Sequence, residues 1–116
     1  MENYVVKEVK DYNQLLLDTL SAIAQEYTNT VGQKAYSCTY YIDSDIAGIT
    51  FYEVHVIVKK ILCFKKWKSA LSIIYGVIDG RVRGDIYNPK IKEIADKHLG
   101  TFAKAHSIDI QMTTNY

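Results

Sequence analysis

The chain has 116 residues, of which 48% are apolar and one is proline, so it is long enough for a single folded domain and is not disordered. Its longest uncharged apolar-rich run, residues 69–78, has ten residues, which is too short to cross a lipid bilayer. The net charge is +1, but residues 1–55 carry three basic and eight acidic side chains, whereas residues 56–116 carry eleven basic and five acidic ones. Such polarity is typical of a protein with one charged binding face, unless the two halves interleave and their fields cancel.

The cysteines and the start of the chain predict a cytoplasmic location. Cys38 and Cys63 form neither a disulfide framework nor a metal-binding spacing, as in an ordinary reduced protein. Residues 1–4 do not begin a basic segment followed by an apolar one, which is the pattern of a secretory signal. We therefore expect a reduced environment and no membrane association.

The first predicted element is an amphipathic helix over residues 12–27. Its apolar positions follow the 3.6-residue period and are Tyr12, Leu16, Leu20, Ile23, Ala24 and Tyr27. Asp11 is predicted to cap the helix, Gln14 to complete a capping box, and Gly32 to follow its end. The apolar stripe should lie on a sheet.

Two strands should follow, over residues 35–43 and 49–60, because side-chain types alternate there. In the first strand Tyr36, Cys38 and Tyr40 share a face, and we expect Cys38 to be a small core residue. The second strand should bury Tyr52, Val54, Val56 and Val58 and expose Phe51, Glu53, His55, Ile57 and Lys59.

The strongest local pattern is a β-hairpin over residues 69–87. It should reverse at Asp79-Gly80, because an Asp-Gly pair suits a two-residue type I′ turn. This turn would pair Ile78 with Arg81, Val77 with Val82, Tyr75 with Gly84, and Ile73 with Ile86.

That pairing separates apolar from charged side chains. One face would hold Leu71, Ile73, Tyr75, Val77, Val82, Gly84 and Ile86. Arg81 and Arg83 would lie on the other face. The alternative is an amphipathic helix over residues 65–78, which the lysines in its first turn disfavour.

Asn88 and Pro89 should open a second helix, since asparagine is a preferred cap and proline suits the first helical position. A short last strand is predicted over residues 107–112, followed by a loose tail. The element order is therefore α-β-β-β-β-α-β. Short links between successive strands predict a single α+β domain with a mostly antiparallel sheet of four to five strands and both helices packed on one face.

Residues 59–68 form the first candidate binding segment. They include Lys59, Lys60, Phe64, Lys65, Lys66, Trp67 and Lys68 and no acidic residue. Arg81 and Arg83 are predicted to adjoin them. Such a patch suits the phosphates and bases of a nucleic acid or an acidic protein face. The alternative is that the aromatic residues close the core while the lysines stay in water.

The second candidate is a divalent-metal site of nuclease type at Asp43, Asp45, Glu53 and His55. Carboxylates on such strands hold Mg²⁺ near a phosphate. However, His55 stands two residues after Glu53, where a common nuclease pattern has lysine. All four residues also suit a turn and a hydrated strand face, so we expect no cofactor.

The remaining candidate side chains point to solvent exposure or partner contacts rather than to a metal or catalytic site. His98 and His106 are eight residues apart on the second helix, too far to share a metal, and should be solvated. Tyr41, Phe51 and Ile57 would make the outer sheet face more apolar than solubility requires, which favours a partner or self-association.

Taken together, these patterns predict a small, non-enzymatic binding protein that occupies a partner's surface, as an inhibitor or immunity-type protein does. The partner should be a protein, with an acidic face if the lysines contact it, and homo-oligomers are compatible with the aromatic sheet face. A nucleic-acid-binding protein that uses the lysine segment with Arg81 and Arg83 is the second hypothesis. A Mg²⁺-dependent nuclease is the third.

Overall fold

The computed structural model describes residues 12–41, 49–61, 64–76 and 80–116. In chain order the elements are α1 (Asn13–Val31), β1 (Ala35–Tyr41), β2 (Ile49–Ile61), β3 (Phe64–Gly76), β4 (Val82–Ile86), a 3-10 turn (Pro89–Ile91), α2 (Lys92–His106) and β5 (Ile110–Thr114). The predicted order α-β-β-β-β-α-β is confirmed.

The strands form one five-stranded sheet in the order β1-β2-β3-β4-β5. Neighbours from β1 to β4 pair antiparallel, and β5 pairs parallel to β4. A parallel pair needs a crossover connection, which α2 supplies between β4 and β5. The predicted α+β domain with a mostly antiparallel sheet and two helices is confirmed, and the sheet is mixed because of β5.

The core lies between the helices and one face of the sheet. It contains α1 residues Leu16, Leu20, Ile23, Ala24 and Tyr27, strand residues Tyr52, Val54, Val56, Ala70, Leu71, Ile73, Tyr75, Val82 and Ile86, and Ile91, Ile94, Ala95, Leu99 and Phe102 around α2. The predicted stripe of α1 is therefore confirmed as the packing face. Tyr12, just before the helix, packs against this core while remaining half-buried.

The structure describes the predicted C-terminal end of α1 but not its predicted N-terminal cap. Gly32 ends the helix in the left-handed conformation at φ 83°, and its N–H donates to the carbonyl of Thr28, the geometry that glycine adopts without strain. The capping residue Asp11 lies outside the described residues. The Gln14 amide donates from Nε2 to Asp18 one turn later, at 2.9 Å, and the predicted capping-box contact with Asp11 falls outside the described residues.

The face of β1 that packs on the helices is the face that was predicted to point outward. Ser37 faces α1, where its hydroxyl is 2.9 Å from that of Ser21, whereas Tyr36 is 38% exposed. The prediction that Cys38 is a core residue is wrong, since it lies half-buried on the other side of the sheet. Small side chains on β1 let the helix approach this edge strand, and the larger tyrosine is left on the uncovered side.

β2 and β3 form a long hairpin of 13 residues per strand. The alternative helix over residues 65–78 is therefore wrong. Tyr52, Val54 and Val56 are buried as predicted, but Val58 is 45% exposed. The hairpin therefore continues past the part of the sheet that the helices cover.

β3 and β4 pair as a hairpin, but with a register two residues away from the predicted one. Tyr75 lies opposite Val82, and Ile73 lies opposite Gly84. The strands are joined by a longer turn than a two-residue one, in which the N–H of Gly76 donates to the carbonyl of Arg81. Residues 77–79 lie outside the described residues. Because a shift of two leaves each side chain on its face, the predicted apolar and arginine faces are retained for the residues of this hairpin that the structure describes.

Asn88 and Pro89 open a 3-10 turn rather than α2 itself, which begins at Lys92 without a side-chain cap, and the last strand runs further than predicted. The Asn88 side chain accepts a hydrogen bond from the N–H of Lys90, next to Pro89 at the first position of the turn. Gly100 lies inside α2. The expected loose tail is wrong at its start, since β5 includes Thr113 and Thr114.

The hydroxyl of Tyr27 links the end of α1 to the start of α2. Its side chain is fully buried. The hydroxyl donates to the Gln33 side chain and accepts a hydrogen bond from Nδ2 of Asn88 at 3.2 Å.

Tyr27→Phe should therefore leave two polar groups without this partner and lower the free energy of unfolding by about 1–2 kcal/mol. Urea unfolding measures the change. Tyr116→Phe, at a site 62% exposed, is the control and should change stability by no more than about 0.5 kcal/mol; equal effects of the two variants would contradict the role of the hydroxyl.

Candidate functional site

Both helices pack on one face of the sheet, and we call the opposite face the open face. Within the described part of the chain, no helix lies over it. The open face carries Tyr36, Cys38, Phe51, Glu53, His55, Ile57, Trp67, Ile74 and Arg83. Three features of this face and of the strands that extend from it bear on function: a lysine-rich strand end, an arginine end, and a cluster of a thiol, a carboxylate and an imidazole between them.

The lysine-rich end is the far part of the β2–β3 hairpin, residues 58–61 and 64–66 with Lys68, which we call the lysine tip. In its backbone ladder Lys59 lies opposite Lys66, and Lys60 lies opposite Lys65. Lys65, Lys66 and Lys68 are exposed. Phe64 is 74% exposed, although a phenylalanine gains stability by burial. The lysine tip therefore presents an apolar ring among cations that plays no part in the core.

An irregularity in β3 places Trp67 on the open face. Val54 pairs with Leu71 but His55 pairs with Ser69, so Ala70 is an extra residue, a β-bulge that reverses the alternation beyond it. Trp67 consequently lies opposite Ile57 and packs edge-on against Tyr36, with ring centroids 4.4 Å apart at 86°. This contact holds the half-buried indole beside the lysine tip.

Arg81 and Arg83 lie at the other end of the sheet. Arg83 pairs with Ile74 on β3, nine residues along that strand from Lys65, which corresponds to about 30 Å. This separation is several Debye lengths at physiological salt. The structure thus places the two predicted basic groups apart, as electrostatically independent sites.

The arginine end is also where the predicted aromatic residues lie. Phe51 is half-buried and opposite Ile74, and Tyr41 ends β1 opposite Thr50. A shallow pocket of about 300 Å³ is lined there by Ile49, Ile74, Gly76, Arg81 and Arg83. Ile74 itself is 44% exposed, so this end is more apolar than the lysine tip.

Cys38, Glu53 and His55 come together between these ends. Cys38 lies directly opposite Glu53 across β1 and β2, and Tyr36 lies opposite His55. The thiol sulfur, a carboxylate oxygen and a ring nitrogen all lie within 4.8 Å of one another. Nε2 of His55 contacts the Glu53 carboxylate, and Nδ1 is 3.3 Å from the Tyr36 hydroxyl.

This cluster differs from the predicted nuclease site in composition. Glu53 and His55 are on the open face as predicted, but Asp43 and Asp45 lie outside the described residues. Cys38 joins instead, a residue that sequence reasoning had assigned to the core. The signal that could have found it was the register: once Glu53 faces outward, its cross-strand partner must face outward too.

The two histidines of α2 are less exposed than expected, and the prediction that they are solvated is wrong. His106 packs against Tyr12 and Phe102, with centroids 5.3 and 4.6 Å away. Nε2 of His98 lies 3.5 Å from Glu26 on α1. A hydrogen bond from Lys97 lowers the pKa of the Glu26 carboxyl. These residues line or flank a groove of about 500 Å³ between the helices, and their contacts join α1 to α2.

Comparisons with models of known protein families, with curated proteins and with solved structures found no match to this chain. Of the helices that the structure describes, none combines the length and apolarity needed to cross a membrane. The three features above are therefore the parts of the molecule that indicate its function.

Proposed function

We propose that this chain is a binding protein that docks on an acidic surface of a protein partner through the lysine tip, in the manner of an inhibitor or immunity-type protein. The observation that carries the proposal is Phe64, 74% exposed at the end of a two-stranded extension among exposed lysines. An apolar ring surrounded by like charges is the pattern of an interface centre with a polar rim.

The aromatic pair behind the tip supports a protein partner. Trp67 and Tyr36 already hold each other through an edge-on contact, so little side-chain entropy is lost when a partner packs on them. Tryptophan and tyrosine are among the residues that contribute most to protein interfaces. The tip has fewer residues than the roughly 20–30 that a usual interface has on each side, and this aromatic pair extends it along the open face.

The positive charge of the lysine tip determines which kind of surface it attracts. The tip contains five lysines and no acidic residue, so it repels basic surfaces and attracts acidic ones. Exposed lysines contribute mainly to association rate and to the choice of partner, whereas a buried aromatic anchor sets the dissociation rate. Phe64 is therefore the residue assigned to affinity, and Lys65, Lys66 and Lys68 are assigned to selectivity for acidic surfaces.

A second candidate, nucleic-acid binding, is favoured by the shape of the tip. A two-stranded antiparallel ribbon fits the major groove of DNA, and the tip is such a ribbon with lysines on both strands. Each lysine that neutralises a phosphate should contribute about 0.9 to the slope of log affinity against log salt. This dependence separates the two candidates experimentally.

The test is charge reversal of the tip. The variant Lys65→Glu/Lys66→Glu/Lys68→Glu should weaken capture and binding of an acidic partner from the source cells by about 100-fold, through loss of attraction and new repulsion. A matched variant, Lys34→Glu/Lys90→Glu/Lys104→Glu, changes the net charge equally at exposed sites outside the tip and should bind within about threefold of the unmodified protein.

Phe64→Ala provides the second arm. It should weaken binding by about 30-fold or more, as expected for an interface anchor, while unfolding in urea stays unchanged because the ring is not in the core. Calorimetry with the purified partner and fluorescence anisotropy with duplex and single-stranded oligonucleotides are run in parallel over a salt series. Steeply salt-dependent binding to oligonucleotides alone would support the second candidate. Full binding by both tip variants would contradict both candidates.

A further inference from the structure

We propose that Cys38, Glu53 and His55 form a site for one Zn²⁺ ion, with a fourth coordination position that faces solvent. The proposal is independent of the partner that the lysine tip binds. It depends on the side-chain cluster at the centre of the open face, where three different ligand types converge from two adjacent strands.

The strand register accounts for the convergence. Cys38 and Glu53 are direct cross-strand partners, a position at which side chains on the same face are in contact. His55 lies two residues beyond Glu53 and so shares its face. Two rigid strands therefore supply three ligands, and none of them comes from a loop.

The spacing fits a tetrahedral ion. Zinc bonds of about 2.0 Å to nitrogen and oxygen and about 2.3 Å to sulfur place the ligand atoms of such a set roughly 3.3–3.6 Å apart in a tetrahedron. The three ligand atoms already lie within 4.8 Å of one another, and an ion between them requires the Glu53 carboxylate and Nε2 of His55, which are in direct contact, to move apart. All three residues are half-buried, with side-chain exposures of 18% for His55 and 21% for Glu53. The site is thus shielded by its neighbours but still open to one water ligand.

The chemistry of the set favours zinc over a hard cation. Thiolate and imidazole prefer Zn²⁺ and similar transition metals, whereas Mg²⁺ and Ca²⁺ require oxygen ligands. One thiolate and one carboxylate also balance the two charges of the ion. Three protein ligands with one open position is the arrangement of zinc sites that bind a water molecule or an exogenous group.

The ring of His55 makes the kind of contacts that a metal-ligating histidine makes. Its Nε2 faces Glu53 inside the cluster, and its Nδ1 lies 3.3 Å from the Tyr36 hydroxyl. A ligating histidine usually donates its second ring N–H to an oxygen, which fixes the ring. Tyr36 is in turn held by Trp67, so the aromatic pair of the open face also orients the proposed ligand.

The experiment uses Co²⁺ as a spectroscopic substitute for Zn²⁺ in the reduced protein of residues 1–116. We expect one equivalent of Co²⁺ to produce a thiolate-to-cobalt charge-transfer band and the intense visible bands of a tetrahedral ion, and Zn²⁺ to displace both. Cys38→Ser should abolish the charge-transfer band. Glu53→Gln and His55→Gln should each weaken zinc binding by about 100-fold, and Tyr36→Phe by about tenfold.

Matched controls are available in the same chain. Cys63→Ser removes the other cysteine of the chain, and His98→Gln removes a histidine that lies on α2 beside Glu26; both should keep the cobalt spectrum and the zinc affinity. Metal-free unfolding curves confirm that each variant folds, and zinc should raise the melting temperature of the unmodified protein but not that of Cys38→Ser. Absence of stoichiometric binding, a cobalt spectrum of octahedral type, or loss of the band in Cys63→Ser rather than Cys38→Ser would each overturn the proposal.

Discussion

Leu20→Ala is expected to lower the free energy of unfolding by about 2–5 kcal/mol. Leu20 is fully buried in the stripe of α1 that packs on the sheet. The substitution removes the transfer free energy of the lost methyl groups and leaves a cavity that the rigid strands beneath cannot fill. Urea unfolding followed by circular dichroism measures the change.

The control for this prediction lies on the same helix. Leu15 is 42% exposed, so Leu15→Ala makes the same chemical change with the same helix propensity and should alter stability by less than about 0.5 kcal/mol. The difference between the two variants therefore isolates burial against the sheet. Similar losses from both would mean that α1 does not pack on this face.

Local patterns were sufficient to predict the element order, because each element carries its own signals. The stripe of α1, Gly32 at its end, and Asn88-Pro89 before α2 are short-range features that tertiary packing did not override. The apolar face of the β3–β4 hairpin was also predictable. Its exact pairing was not predictable, because the register depends on the turn. A register shifted by two residues leaves every side chain on the same face, so the alternating pattern fits both registers equally well.

The candidate site was harder to predict, because it depends on how strands face one another. Reading β1 alone, Cys38 and Tyr36 formed the more apolar face, and burial was the natural expectation. The helix instead covers the side of Ser37, which a neighbouring Ser21 contacts. Nothing in the sequence of β1 alone distinguishes these alternatives, since they differ only in what packs on each side.

The bulge at Ala70 is the other feature that could not be predicted from the alternation of side-chain types along the strand. It carries Trp67 from the face of the core to the open face, where the ring meets Tyr36. One extra residue in β3 thereby connects the two proposals made above: Trp67 borders the lysine tip on one side and, through Tyr36, the ring of His55 on the other. The Trp67–Tyr36 pair thus lies between the lysine tip and the Cys38–Glu53–His55 cluster.

Gly84→Ala is expected to destabilise the protein by about 3 kcal/mol, near the upper end for overpacking a core. A Cβ atom built on Gly84 would lie 2.3 Å from the backbone oxygen of Ser72 and 2.8 Å from two side-chain atoms of Met112. Met112 can rotate, but the Ser72 carbonyl belongs to β3, which is paired on both sides. The added methyl group therefore has to push β4 away from β3.

Gly100→Ala is the matched control for Gly84→Ala and should have the opposite sign. Its Cβ atom would meet nothing within 4 Å, and it lies inside α2, where alanine is more favourable than glycine by about 1 kcal/mol. The same methyl group should thus stabilise the helix and destabilise the sheet, as measured by urea unfolding of both variants. A neutral Gly84→Ala variant would show that β4 does not lie as close to β3 as this contact requires, and the placement of Arg83 and of the parallel strand β5 would fail with it.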